Sequence, residues 1–341
     1  MPTYFGPGRV NVIGEHTDHA GGLALPMSID RGIMLEVTGR NDRTQLSSDG
    51  FDDLDLAPMQ GSATGWGRYV LAVATELARS GMAVRGLQGR LRSDLPVGAG
   101  LSSSAALEVA VALAFLGSDD HGLDDEHLIR LCRDAEERAV GVPCGLLDQA
   151  AVVLGRSGHA VFLSFTDLVH ELLPWPTELA IVVLHSGLTR NLEGTAYAAR
   201  RDELRRGLEG SADPVARRRA RHFHTENDRV REVVELLRLP VGDPRVIGRV
   251  LLASHASLRD DFEVSTPELD RLVQLAVAHG AYGARLTGAG FGGAVLALAD
   301  AHWAAEMSDR TIRAYRDWQP TLSATAMVVT PSDGARRVDI T

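Results

Sequence analysis

The run SSAALEVAVALAFL at residues 103–116 is apolar on nearly every face of a helix. Such a helix has no side to give to water, so other elements must bury it all round. Gly117 stands just past its end, where a left-handed cap closes a helix. The residues before it are as specific: LPVGAGLSSSAALE (95–108) turns on Gly98 and Gly100 and then offers Ser102, Ser103 and Ser104. A glycine-rich turn feeding a helix N-terminus aims free N–H groups and the positive dipole end at one point, which suits an anion such as phosphate. A serine N-cap is the plainer reading, although one serine suffices for that.

The chain of 341 residues is long for one domain and comfortable for two. Helices are expected at 66–79, 103–116 and 125–140, with strands at 35–38, 87–93, 159–165 and 179–186. The second half is dominated by Arg/Glu-rich helices near 193–208, 226–238, 245–258 and 267–279. Thr266-Pro267 starts the last of these and Gly280 closes it. Strands at 293–299 and 323–330 flank a helix near 302–316. The break between halves falls in LLPWPTE (172–178), which divides the chain into 1–175 and 176–341, both α+β.

Composition removes several function classes. The chain has no lysine, so all 35 basic residues are Arg. That excludes a Walker-type lysine, a protein-kinase strand lysine and a Schiff-base lysine. Phosphate chemistry here would need Arg, backbone N–H groups, a helix dipole and a metal ion. A net charge of −10 argues against nucleic acid, and no run of eighteen apolar residues suggests a membrane span. The start has no secretory pattern, and two cysteines, Cys132 and Cys144, make no disulfide framework. A cytoplasmic protein is expected.

Three polar features interrupt apolar surroundings. GEHTDHAGG (14–22) places Glu15, His16, Asp18 and His19 between two apolar segments; a metal site, an acid/base site, a sugar cradle and a solvated turn all fit it. On the 125–140 helix, Leu128, Ile129, Cys132, Ala135 and Ala139 share one stripe, and Glu136 falls inside it, whereas Glu137 joins Arg130 and Arg133 on the polar face. A carboxylate in that stripe is either at an edge that reaches solvent or is paired or metal-bound. Asp148, with Gln149, is the polar interruption of CGLLDQAAVVLG (144–155) and reads as a buried structural acid or a poised base.

Together these segments resemble the GHMP small-molecule kinases and, within them, the galactokinase branch. GRVNVIGEHTD (8–18) is similar to the branch's sugar signature, and LPVGAGLSSSAALE to the shared nucleotide loop. AEERAVGVPCGLLDQ (135–149), SLRDDFEVSTPELD (257–270) and GARLTGAGFGGAVLAL (283–298) resemble its other blocks. The resemblance implies a two-domain α+β fold, an N-terminal α/β domain and a C-terminal ferredoxin-like domain, with the site in the cleft between them.

It also implies roles. Asp148 matches the catalytic base and Arg9 its partner beside the transferring phosphoryl group. Glu15, His16, Thr17, Asp18, Gly145 and Tyr197 match sugar contacts. Gly98, Ala99, Gly100, Leu101, Ser102, Ser103 and Ser104 match the ATP loop, and Ser104 and Glu136 the Mg²⁺ ligands. Trp66 falls where an adenine wall would stand, or packs in the core. The implied reaction is ATP-dependent phosphorylation of galactose at its anomeric hydroxyl by a monomer. The signature departs from the branch at His19 and Ala20, where Tyr and Asn are usual, which leaves a related sugar such as N-acetylgalactosamine or arabinose open. A non-catalytic galactose sensor is the rival of a different class, and the complete serine loop speaks against it.

Overall fold

The computed structural model describes residues 1–57, 62–96, 98–117, 122–188, 195–239 and 242–338. β1 (Thr3–Asn11) is followed by a 3-10 turn, Asp18–Ala20, then β2 (Leu23–Ala24) and the sixteen-residue β3 (Pro26–Asn41). Next come β4 (Thr44–Ser48), β5 (Leu54–Leu56), α1 (Gly67–Arg79) and β6 (Gly86–Ser93). α2 (Ser103–Leu116), α3 (Asp125–Val140) and α4 (Leu147–Leu154) precede β7 (His159–Ser164) and β8 (His170–Pro174). β9 (Leu179–His185), α5 (Thr195–Leu208), α6 (Pro214–Arg238), α7 (Pro244–Asp260) and α8 (Pro267–Ala278) open the second half. β10 (Gly283–Thr287), β11 (Ala294–Asp300), α9 (Ala304–Trp318), β12 (Thr325–Val329) and β13 (Arg336–Val338) complete it.

Three sheets organise these elements. The first has strand order β13-β1-β3-β6-β4-β5, so a strand from the end of the chain pairs with one from its start. The second, β10-β11-β9-β12, is antiparallel, with α8 and α9 packed against it. The third is β2-β7-β8. α2 packs on β1 and β3 and against α1, α3 and α4, which buries the all-apolar helix as its composition requires. Gly6 makes the fit of β1 on α2 possible: a Cβ there would overlap the Ala106 carbonyl. That contact brings β1 up to the glycine-rich loop, where Arg9 N–H donates to Leu101 O at 3.0 Å.

Caps placed most helix ends where the sequence predicts them. Asp124 accepts from His127 N–H, Thr266 from Leu269 N–H, and Gly117 closes α2 at φ 74°. α6 is the main difference, since it begins at Pro214, twelve residues before the expected helix. Asp213 caps it, and its Arg-rich first turns are held by ion pairs rather than by an apolar stripe: Arg219, nearly fully buried, binds Glu203 and Glu263, each at 2.8 Å. The expected start of the helix at 193–208 lies outside the described residues; from Thr195 onward it is helical.

The two halves of the chain meet through a buried ion network. Arg285, fully buried on β10, donates from Nη1 to the carbonyls of Asn11 and Val12, both at 3.1 Å, and to Glu15 Oε2 at 3.3 Å. Its Nε donates to Ser254 Oγ, which donates to Glu226 Oε1 at 2.7 Å; that same oxygen accepts from Gly14 N–H at 3.0 Å. Burial disfavours the charge on Glu226, but His222, Arg285 and Arg229 outweigh it and hold the carboxyl at about 2. Two histidines line this region. His222 bonds Ser257 Oγ and Glu15 O, and His255 bonds Asp270 while accepting from Leu286 N–H. Burial lowers both imidazoles to about 4.

Removing Arg285 strands two buried carboxylates. Arg285→Met should lower unfolding stability by about 3–5 kcal/mol, read as a fall in the urea midpoint; an unchanged midpoint would show that the network contributes nothing. The histidines give a pH signature. In the unfolded chain they protonate near 6.5 and in the folded chain near 4, so between those values the unfolded state binds more protons and stability falls as pH drops. Each shift corresponds to roughly 3 kcal/mol across the window. Urea midpoints should fall more between pH 7 and pH 5 in the wild type than in His255→Gln, which removes one of the two titrating imidazoles, and an equal pH dependence in the two proteins would contradict the assignment.

Candidate active site

The residue at the centre of the site is Arg9. β1 carries it, and its guanidinium is 6% exposed. Nε donates to Asp148 Oδ1 at 2.8 Å, Nη2 lies 2.5 Å from the same oxygen, and Nη1 donates to Gly100 O at 2.6 Å. One side chain therefore ties the first turn of α4 to the glycine-rich loop. The Asp148 carboxylate is 31% exposed, so it stays accessible from the cleft despite its apolar neighbours.

The loop has the backbone geometry that suits an anion. Gly98 and Gly100 take φ of 75° and 71°, and Ser102 adopts φ 56° just before α2. No side chain caps α2, so its first N–H groups are not satisfied that way, and Ser102 Oγ is buried without a partner among the described residues. Ala99 and Leu101 are buried beneath the loop and Ser103 is exposed. Ser104 Oγ donates to Glu136 Oε1 at 2.7 Å. Glu136 faces inward from α3, and Glu137 bonds the Cys144 N–H at 2.9 Å. Burial and the Asp148 charge raise the Glu136 carboxyl above its usual range. A hydroxyl and a carboxylate are hard oxygen donors, the set Mg²⁺ takes together with nucleotide phosphates.

The 14–22 turn divides its side chains between scaffold and cleft. Glu15 is buried: Oε1 accepts from Thr287 Oγ1 at 3.1 Å and from Gly288 N–H at 2.6 Å, while Oε2 faces Arg285 and accepts from Asn11 Nδ2. Burial raises its carboxyl above the usual value, against the pull of Arg285 and Gly288 N–H. Thr17 Oγ1 spends its hydrogen-bonding on the turn carbonyls of Gly14 and Leu23.

His16, Asp18 and His19 group instead with Tyr197 of α5. His16 holds φ 62°, a left-handed value that a non-glycine residue keeps only when its surroundings impose it. Its ring stacks on Phe262 at 4.5 Å and lies 5.8 Å from Tyr197. Burial and the neighbouring His222 and His19 lower its pKa well below 6.5, so the imidazole is neutral, and its Nε2 is buried without a partner among the described residues. His19 Nδ1 lies 3.3 Å from Asp18 Oδ1; burial raises the Asp18 carboxyl, but the interactions with His19 and His16 together hold it below its usual value. A Cβ at Gly145 would overlap the Asp18 carboxylate, so the 141–146 loop touches the turn at that point. Burial and the charges of Asp18 and Asp148 raise the Tyr197 phenol, which stays protonated.

The structure thus brings Arg9, Asp148, the loop, Ser104–Glu136 and the group of His16, Asp18, Gly145 and Tyr197 into one region, while Glu15 and Thr17 face the scaffold. Arg201, which no sequence pattern singles out, donates to Pro143 O and lies 5.9 Å over the Tyr197 ring. Trp66 bonds Asp52 O and packs at the edge of the core.

This arrangement is that of a small-molecule kinase, and comparison with known proteins agrees. The GHMP kinases N terminal domain matches residues 68–156, the GHMP kinases C terminal domain 232–316, and the galactokinase galactose-binding signature 3–38. The chain belongs to the galactokinase family. It is 37% identical to the galactokinase of Pyrococcus furiosus, over 96% of this chain and 97% of that one, and 38% identical to that of Streptomyces coelicolor, over 97% and 93%. A crystal structure of Lactococcus lactis galactokinase complexed with galactose superposes with a TM-score of 0.90 at 29% identity, over 99% of this chain and 95% of that one. A mevalonate kinase shares the fold at a TM-score of 0.73 and 19% identity.

Proposed function

We propose that this ATP-dependent sugar kinase transfers the γ-phosphoryl group of ATP to the anomeric hydroxyl of galactose, giving galactose 1-phosphate and ADP. The observation that carries this reading is the Arg9–Asp148 pair, which stands between the phosphate loop and the His16–Asp18–Tyr197 group. Both Arg9 contacts land on Oδ1 of Asp148. Oδ2 is then the oxygen that orients the attacking hydroxyl and takes its proton. Arg9 stabilises charge on the transferring group, in a chain that has no lysine for that task.

The N–H groups of residues 98–104 would cradle the ATP phosphates. Ser104 and Glu136 would hold Mg²⁺, which when bound neutralises phosphate charge. Asp18, neutral His16, the Tyr197 hydroxyl and the Gly145 backbone would read the sugar hydroxyls, since a fixed set of donors and acceptors discriminates epimers. Glu15 and Thr17 would serve the same site by shaping the turn. The division at 175/176 belongs to this reading: the chain leaves β8 there and starts a new sheet at Leu179. A cytoplasmic monomer is its simplest form; no helix among the described residues is long and apolar enough to cross a membrane.

A related sugar, N-acetylgalactosamine or arabinose, is the second reading, favoured by His19 beside Asp18. Asp148→Asn should cut kcat by about 10²–10⁴-fold with the fold intact by circular dichroism, measured by coupled ADP release; turnover close to wild type would remove Asp148 from the reaction. Gly145→Ala pushes a methyl group into Asp18. It should raise the galactose KM about tenfold at an unchanged urea midpoint, and an unaltered KM would place the sugar elsewhere.

A further inference from the structure

Behind the Ser104–Glu136 pair lies a second acid that the reaction above does not use. Glu108 stands one turn beyond Ser104 on α2 and is fully buried. Its Oε2 accepts from Gln149 Nε2 at 3.0 Å, and the same amide nitrogen donates to Glu136 Oε2 at 2.7 Å. Gln149 is also fully buried and directly follows Asp148 on α4. An amide NH₂ carries two hydrogens, and both are committed to carboxyl groups. Oε1 of Glu108 and Oε1 of Gln149 are buried without partners among the described residues. An acid so placed costs stability where an apolar side chain would not.

We infer that Gln149, held from behind by Glu108, is a positioning residue that aims the Glu136 carboxylate, with Ser104, at the divalent cation that accompanies the nucleotide. The inference rests on the Mg²⁺ placement proposed above. The geometry gives each group a task. A carboxylate at the end of a flexible side chain can rotate; Glu136 cannot, because Ser104 holds Oε1 and Gln149 holds Oε2. A glutamine amide can turn over and exchange its oxygen and nitrogen. Here that flip would set the amide oxygen against carboxyl oxygens on both sides, so Glu108 selects the orientation that donates to Glu136. Because Gln149 adjoins Asp148, one short helix carries both the group that meets the sugar and the group that sets the cation ligand.

The test is Mn²⁺ binding to the protein–ADP complex, followed by electron paramagnetic resonance, with metal-free ADP affinity measured by calorimetry in EDTA. Removing the outer partner of a metal ligand typically weakens metal binding about 10–100-fold. Gln149→Leu should lower Mn²⁺ affinity by that factor and leave metal-free ADP binding unchanged. Glu108→Leu should give a smaller loss in the same direction, and Glu108→Gln, which keeps the acceptor, should stay close to wild type. Gln149→Asn, which withdraws the amide by one methylene, serves if the leucine variant does not fold. Unchanged Mn²⁺ affinity in Gln149→Leu, or in Gln149→Asn in its place, and in Glu108→Leu would overturn the positioning role. Glu136→Gln separates the two levels: if it too leaves Mn²⁺ affinity unchanged, the cation placement itself fails.

Discussion

The structure depends on one buried cation. Arg285 comes from a strand of the second half and holds two carbonyls at the end of β1, the Glu15 carboxylate and, through Ser254, Glu226. Glu226 in turn fixes the backbone at Gly14. The start of the 14–22 turn is thereby pinned from both sides by groups far away in sequence. That anchor sets the course of the chain between Arg9 on β1 and the turn that carries Asp18. The strained backbone of His16 is what such over-determination permits.

The same economy runs through the cleft. Arg9 engages Asp148 and Gly100 with one planar fork, a task that a point-charge ammonium group performs poorly. Asp148 then stands within electrostatic reach of Glu136 on one side and Tyr197 on the other. A carboxylate so shared lies where nucleotide and sugar would have to meet. Catalysis of phosphoryl transfer is largely positioning and charge neutralisation, and in the proposed reaction these contacts would supply both without a lysine.

Much of this was legible in the sequence, and for identifiable reasons. The buried α2 followed from a helix with no polar face. Glu136 rather than Glu137 was singled out by its place in the apolar stripe, and the structure aims it at Ser104. Asp148 stood out as an acid among apolar residues. Other features carried no local signal. Most of the long β3 lacks a simple alternation because its burial changes along its length. The first half of α6 is polar on most faces and is held by Arg219 and its carboxylate partners rather than by a stripe. Arg285, Glu108 and Gln149 act through partners distant along the chain, which no window of sequence displays. Glu15 carries the signature's charge yet faces the scaffold, because its nearest cation lies 270 residues onward.

A cleft built in this way should phosphorylate galactose at its anomeric oxygen. The most direct measurement is ³¹P NMR of the purified chain with Mg-ATP and, in separate samples, galactose, glucose, 2-deoxygalactose, N-acetylgalactosamine and arabinose. A sugar 1-phosphate resonance should appear with galactose, matched by ADP formation, with little product from glucose. Galactose binding with no phosphorylated product from any of these sugars would contradict this reading of the cleft.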